Sequence, residues 1–104
     1  MASHDRGEVW LADLGIAAKT RPGLVMSVPL DPQDRVLVTL IPHTTSVQGT
    51  RFEVVIAKKF LMPGAFDVQG LATVATARLL RKLGELQPAE MVLVEEAVKR
   101  WLGL

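Results

Sequence analysis

The sequence of 104 residues contains no cysteine, no tyrosine and only two histidines. The lack of cysteine excludes disulfide bonds, a thiolate nucleophile and cysteine-ligated metal sites. Neither His4 nor His43 belongs to an HExxH motif or to a cluster of metal-ligating side chains, which argues against a zinc enzyme. We therefore expect no metal and no other cofactor.

An excess of charge of one sign and long apolar runs are also lacking. Lys and Arg number 12 and Asp and Glu number 11, so the formal net charge is only +1. Any binding to nucleic acid must therefore depend on local basic patches. No apolar run approaches the roughly 18 residues that span a bilayer, and residues 1–8 carry no signal-like segment. We expect a soluble, cytoplasmic protein with no membrane contact.

The apolar content is high enough for one hydrophobic core. Hydrophobic residues make up 49% of the chain and charged residues 22%, which predicts a single domain over residues 1–104. The segment 22–28 is apolar at nearly every position, as is typical of a strand covered on both faces. Pro42 is expected to stop the strand that precedes it. Apolar segments between turn residues predict strands at residues 8–14, 22–28, 35–41, 52–57 and 71–76.

The last third of the chain predicts helices. Residues 76–83 mix leucines with basic residues and precede Gly84, which predicts a short basic helix or helical turn. Pro88 suits the first turn of a terminal helix, and Glu90 favours the positive end of its dipole. An apolar stripe follows at three- and four-residue spacing: Met91, Val94, Val98 and Trp101. Gly103 is expected to end the helix. These elements predict a mainly β fold with α structure, a small and strongly bent antiparallel sheet or partial barrel packed by a C-terminal helix.

Two strand ends carry polar groups that could handle a phosphodiester. Thr20-Arg21-Pro22 opens the second predicted strand, and Pro42-His43-Thr44-Thr45-Ser46 follows the third. A guanidinium group can hold two phosphate oxygens at once and stays charged at any physiological pH. An arginine that faces hydroxyl groups across a sheet rim is therefore a candidate phosphate site. The alternative for Thr44, Thr45 and Ser46 is a strand end that starts a turn.

At these and other positions the sequence resembles the MazF/PemK family of toxins, the ribonuclease partners in bacterial toxin–antitoxin pairs. The resemblance runs through nearly the whole chain. Its segments are Arg6-Gly7-Glu8-Val9-Trp10, Arg21-Pro22, Pro42-x-Thr44-Thr45 followed by Phe52-Glu53-Val54, and Arg81-Lys82-Leu83-Gly84-x-Leu86-x-Pro88-x-Glu90-Met91. Order and spacing together, rather than any single motif, support it.

The resemblance implies a fold, an activity and partners. Family members are mostly small homodimers with an SH3-like, CcdB-type barrel, and they cut single-stranded RNA without a metal. Arg21 matches the catalytic arginine and Thr44 the catalytic threonine. The resemblance also implies a cognate antitoxin that covers the RNA groove with an extended, largely acidic segment. The loop of residues 15–20 is shorter than is typical of the family.

Further side chains are expected to bind the RNA. Lys19 and Thr20 precede Arg21, and Thr45 and Ser46 follow Thr44. The family often has an Asp-Gln pair before a late strand, and Gln69 is the nearest equivalent here, preceded by Val68.

His43 has no counterpart in the family motif. With an ordinary pKa near 6.5, it is chemically the best general acid or base in the sequence. In a regular strand it would point away from the face of Thr44, whereas a strand ended by Pro42 could break that alternation. The alternative is an exposed loop histidine.

A non-enzymatic function is the competing hypothesis. The same fold could serve a gyrase inhibitor of the CcdB type, or a toxin-like module that only binds a partner. The CcdB-like action would require an accessible helix end at Trp101-Leu102-Gly103.

Overall fold

The computed structural model describes residues 4–15 and 20–104, and within them an antiparallel sheet carries one α-helix. The α-helix, α1, spans Pro88–Leu102, and 3₁₀ turns occupy Val68–Gly70 and Thr76–Arg78. The strands are β1 (Glu8–Asp13), β2 (Thr20–Val25), β3 (Leu37–Thr44), β4 (Glu53–Val54), β5 (Ala65–Asp67), β6 (Ala72–Ala75) and β7 (Leu79–Glu85).

The sheet is open and is organised around β3. The strand order is β4-β5-β3-β2-β1-β7, and β6 also pairs with β3. Along its length β3 pairs first with β6, through Leu40, and then with β5, from His43 onward. The expected mainly antiparallel sheet with a C-terminal helix is confirmed.

Hydrophobic residues form two cores because neighbouring residues of a strand point to opposite faces. Leu24 and Ile41 belong to the helix-side core, which also contains Val94 of α1. Val25 and Leu40 belong to a second core. The prediction that the second strand is covered on both faces therefore holds for its C-terminal half.

The terminal helix begins and ends as its sequence predicts. The backbone N–H of Gln87 donates to Glu90 Oε1 at 2.7 Å, which completes a capping box. Gly103 ends the helix with a positive φ of 72°, which favours glycine. No helix within the described residues is long and apolar enough to cross a membrane.

The predicted short helix or helical turn at residues 76–83 is wrong beyond its first three residues. Thr76–Arg78 forms only a 3₁₀ turn, and the chain then enters β7, which pairs with β1. The leucine spacing is compatible with a helix, but the edge of β1 has free backbone groups that pair with this segment along its length. Lys82 Nζ lies 3.0 Å from Glu8 Oε2. A Cβ on Gly84 would lie 2.4 Å from Cε2 of Phe60, so glycine lets this strand approach the Phe60 ring.

Pro42 does not end the third strand, which runs on to Thr44. Pro42 lies between the part of β3 that pairs with β6 and the part that pairs with β5. A proline is tolerated at such a gap because the position is not flanked by strands on both sides. Other boundaries also differ from prediction: the segment 52–57 contributes only β4, and β5 was not predicted.

Candidate functional site

The two predicted strand ends lie side by side where β2 and β3 diverge. Their pairing runs through Gly23↔Pro42 and stops there. Beyond that point β2 stays paired with β1, at Ala12↔Arg21, while β3 pairs with β5, at Thr44↔Ala65. Extending the same register by two residues would place Arg21 level with Thr44. The divergence opens a cleft between the strand ends.

The Arg21 cleft has a volume of about 380 Å³ and combines one cation with an apolar wall. It contains four of the predicted site residues, which come from both diverging strands and the residue after β3. Phe60 and Met62, from the segment before β5, form part of its wall. The lining residues are Thr20, Arg21, Pro22, His43, Thr45, Phe60 and Met62.

The Arg21 side chain is exposed and uncommitted. No ion pair or hydrogen bond engages it within the described part of the chain. Other cations differ: Arg6 pairs with Glu95, and Lys58 pairs with Glu90. A guanidinium group without a carboxylate partner can give its full donor fork to an incoming anion.

His43 lines the Arg21 cleft, whereas its neighbour Thr44 does not. This fits a regular strand, in which adjacent side chains point to opposite faces. His43 is only 4% exposed, so the alternative of an exposed loop histidine is wrong. Its ring meets the edge of Phe66 at a centroid distance of 5.1 Å and an interplanar angle of 76°. Burial lowers the pKa of His43 from its ordinary value, because the charged form is poorly solvated there.

Thr44 lines a second cavity, the Thr44 cleft, with a volume of about 200 Å³. Predicted residues Ser46 and Gln69 also line it. Sequence reasoning missed the other four as site residues. They are Gln48, Thr50, Glu53 and Asp67.

The Thr44 hydroxyl is oriented by its own loop. Its Oγ1 accepts a hydrogen bond from the backbone N–H of Ser46 at 3.0 Å. A hydroxyl group has one proton to donate and two lone pairs. The turn occupies one lone pair, and the proton remains to donate to a substrate oxygen. Thr44 can therefore start the turn and also donate a hydrogen bond to a substrate.

The two carboxylates of the Thr44 cleft hold backbone groups. Glu53 accepts from the N–H of Thr50 at 2.6 Å and of Gln48 at 2.9 Å. Asp67 accepts from the N–H of Gln69 at 3.2 Å. The backbone N–H groups of Gln48 and Thr50 lower the pKa of Glu53 below its ordinary value. This cleft thus carries negative charge, in contrast to the Arg21 cleft.

The structure divides the predicted site between adjacent cavities. Arg21, Thr20, His43 and Thr45 line one, and Thr44, Ser46 and Gln69 line the other. Lys19 lies outside the described residues. A sequence signal for Asp67 existed, since an aspartate two residues before Gln69 commonly caps a turn.

Comparison with known proteins identifies the family. The model of the PemK-like, MazF-like toxins of type II toxin–antitoxin systems matches residues 5–102. A mycobacterial endoribonuclease, solved in complex with its cognate antitoxin, is 26% identical with a TM-score of 0.81. This match covers 100% of this chain and 97% of that chain.

Two further solved structures share the fold. The Mycobacterium tuberculosis toxin MazF-mt6 is 24% identical with a TM-score of 0.80, and 93% of this chain and 97% of that chain are covered. A chain of a MazE–MazF complex from Deinococcus radiodurans is 21% identical with a TM-score of 0.83, and 100% and 99% are covered. This chain therefore belongs to the PemK-like, MazF-like family of toxins of type II toxin–antitoxin systems.

Proposed function

We propose that this protein is an endoribonuclease toxin that cuts single-stranded RNA, mRNA in particular, at specific sequences and without a metal. The observation that carries the proposal is the exposed Arg21, free of carboxylate partners within the described residues, at the divergence of β2 and β3. The endoribonuclease named in the 26% identical relative supports the same activity. Because mRNA is the substrate, the site of action is the cytoplasm.

The proposed chemistry is attack of the substrate's own 2′-hydroxyl on the adjacent phosphate. A bond forms from the 2′-oxygen to phosphorus, and the bond from phosphorus to the 5′-oxygen breaks. The products are a 2′,3′-cyclic phosphate, which can open to a 3′-phosphate, and a 5′-hydroxyl. Such a reaction needs a proton acceptor, a proton donor and stabilisation of a crowded phosphorane.

Arg21 and Thr44 have distinct roles in this proposal. Arg21 holds the phosphate oxygens and stabilises the added charge of the phosphorane. The permanent charge of its guanidinium group suits this role first and proton donation to the leaving oxygen second. Thr44 donates its hydroxyl proton to a phosphate oxygen without adding charge. The location of both residues at the same end of the sheet supports these roles.

The remaining predicted residues bind the RNA on either side of the scissile phosphate. Thr20 and Thr45 contribute hydroxyl groups within the Arg21 cleft, and Ser46 and Gln69 contribute polar groups within the Thr44 cleft. Lys19, two residues before Arg21, adds a backbone phosphate contact.

The proposal includes two protein partners. A cognate antitoxin covers the clefts with an extended, largely acidic segment, for which Arg21 is a complementary charge. A second copy of the chain forms a homodimer. Co-expression followed by pull-down tests the antitoxin, and light scattering at micromolar concentration tests the dimer.

The competing function is a toxin-like module that binds a partner without cutting RNA. The accessible helix end favours it, since Trp101 is 42% exposed and Leu102 51% exposed. A growth assay with Arg21→Ala separates the two functions. Loss of toxicity supports the nuclease, and a variant that remains toxic supports the binder.

The decisive experiment for the nuclease incubates the purified protein with RNA of diverse sequence in EDTA and maps the new ends. Cleavage with cyclic or 3′-phosphate ends and 5′-hydroxyl ends, absent in Arg21→Ala, is expected. Persistence of full-length RNA in every sequence context contradicts the proposal.

A further inference from the structure

His43 is a buried titratable group that the roles of Arg21 and Thr44 leave unused. Within the described residues the buried polar or charged residues are Glu8 and His43. Glu8 is fully engaged, since it accepts from Trp10 Nε1 at 2.9 Å and pairs with Lys82. His43 has only its ring contact with Phe66, and no hydrogen bond to its imidazole occurs among the described residues.

The imidazole nitrogens reach the open Arg21 cleft. In the described part of the chain, no fully buried side-chain nitrogen or oxygen lacks a hydrogen-bond partner. The imidazole makes no such bond and His43 lines the cleft, so its ring nitrogens are not sealed inside the core. A ligand in the cleft is the partner within reach.

The ring is held in place from two sides. Phe66 lies opposite His43 in the β3–β5 register. Gly64 lies against the ring, because a Cβ there would come within 2.7 Å of His43 Cε1. A packed, edge-to-face ring at the floor of a cleft has little rotamer freedom, which is what a proton acceptor of fixed geometry requires.

We infer that His43 is the general base of the cleavage reaction and accepts the proton of the attacking 2′-hydroxyl. The inference rests on the proposed nuclease function. As the 2′-oxygen bonds to phosphorus, its proton passes to a ring nitrogen of His43 and gives an imidazolium. The bond from phosphorus to the 5′-oxygen breaks as the 5′-oxygen takes a proton from Arg21, the donor of the proposed mechanism. The imidazolium then returns its proton to Arg21 through water.

The other groups of the cleft suit this role less well. Arg21 is the charged residue among the described residues that line the cleft, and a guanidinium group has no acceptor for the proton of the 2′-hydroxyl. Phe66, which packs against the His43 ring, is uncharged, and so are Phe60 and Met62, which line the same cleft. Burial lowers the pKa of His43 and so favours the neutral imidazole that a base requires.

The test is single-turnover cleavage of an RNA substrate across pH by His43→Phe and His43→Gln. His43→Phe keeps a ring against Phe66 but removes the base. At neutral pH the cleavage rate of both variants should fall by about 10²- to 10⁴-fold with RNA affinity retained. In the wild type, the rate should rise with pH to a plateau, with a midpoint below the ordinary imidazole value of about 6.5. Both variants should lose this acid limb.

His4→Phe is the matched control. His4 also makes an edge-to-face ring contact, with Trp10 at 4.6 Å and 75°, and it lines neither of the two clefts. Its cleavage rate and pH profile should equal those of the wild type. Circular dichroism and thermal unfolding establish which His43 variants are folded.

Specific outcomes overturn the inference. A folded His43→Phe or His43→Gln variant with the wild-type rate and acid limb shows that His43 only packs. If neither variant folds, the wild-type profile decides, because the absence of an acid limb contradicts a histidine base. A wild type that cuts no RNA overturns the nuclease itself, whereas a wild type that cuts while His43→Phe cuts equally overturns only the role of His43.

Discussion

The two clefts at the end of β3 are adjacent but differ in the sign of their charge and in whether that charge is already bound within the protein. The Arg21 cleft has an exposed guanidinium group, a buried imidazole and an apolar wall. The Thr44 cleft has hydroxyl groups, amides and two carboxylates, and its carboxylates are engaged with backbone N–H groups. The charge of the Arg21 cleft has no partner among the described residues and can bind a ligand. The carboxylates of the Thr44 cleft instead hold the backbone of its loops through hydrogen bonds. In the proposed mechanism, the first cleft holds the phosphate through Arg21, and the second contributes the Thr44 hydroxyl.

The largest expected effect comes from removing the uncommitted charge. Arg21→Ala should lower the cleavage rate by about 10³-fold or more, because Arg21 is the cation among the described residues that line the cleft. Stability should change little, since the side chain is exposed. Single-turnover cleavage and thermal unfolding measure the two effects.

Arg35→Ala is the matched control, because Arg35 is exposed and precedes the opposite end of β3. It should cleave RNA at the wild-type rate. Equal loss in both variants would show that only the overall positive charge matters, and the distinction between the clefts would not hold.

Thr44→Val tests whether the second cleft supplies one catalytic donor. The substitution keeps the shape and removes the hydroxyl, and the cleavage rate should fall by about 10²-fold. Thr44→Ser keeps both the hydroxyl and the bond to Ser46 N and should restore most of the activity. A Thr44→Val variant as active as the wild type would leave the Arg21 cleft as the entire active site.

Gly64→Ala perturbs both clefts from one position. A Cβ at Gly64 would lie 2.1 Å from the carbonyl oxygen of Thr44 and 2.7 Å from Cε1 of His43. Because backbone must move to admit the methyl group, unfolding free energy should drop by about 1–3 kcal/mol, and activity should drop with it.

Gly23→Ala is the control for Gly64→Ala, because an added methyl group would meet a less severe steric clash there. Its Cβ would meet the end of a flexible side chain, Leu40 Cδ1, at 3.2 Å. Chemical denaturation should rank Gly64→Ala as the more destabilised variant. The reverse order would show that the approach of Gly64 to β3 does not constrain the site.

The smallest effect is expected from Glu53→Gln. The charged carboxylate is favoured by the N–H groups of Gln48 and Thr50, which lower its pKa below the ordinary 4.5. The stability from this charge is therefore present above that value and is lost as pH falls through the lower folded pKa. Thermal unfolding across acidic pH should show a slightly lower midpoint for the variant at neutral pH and convergence with the wild type in acid.

Much of the architecture followed from patterns in the chain. The terminal helix was predictable because Pro88, the apolar stripe and Gly103 all indicate the same element. The helix predicted at residues 76–83 failed because the leucine spacing is local, whereas the pairing of β7 with β1 depends on residues about 70 positions away in the chain. No local pattern contains that information.

The sequence predicts several residues of the site but not how those residues are arranged in space. Arg21 and Thr44 could be proposed from strand-end motifs, yet their division between two cavities depends on where β2 leaves β3. The burial of His43 could not be predicted because Pro42 was expected to end the strand. The walls formed by Phe60 and Met62 come from a segment without regular structure, for which the sequence offers no register.

That segment is fastened to distant parts of the molecule. Lys58 pairs with Glu90 in the first turn of α1 at 2.7 Å, and the ring of Phe60 rests on Gly84 of β7. A force that shifts the start of the helix relative to the sheet would therefore be transmitted to the wall beside Arg21. Although it contains no strand or helix, this wall is tied to both, and we expect the width of the cleft to change when the helix moves on the sheet.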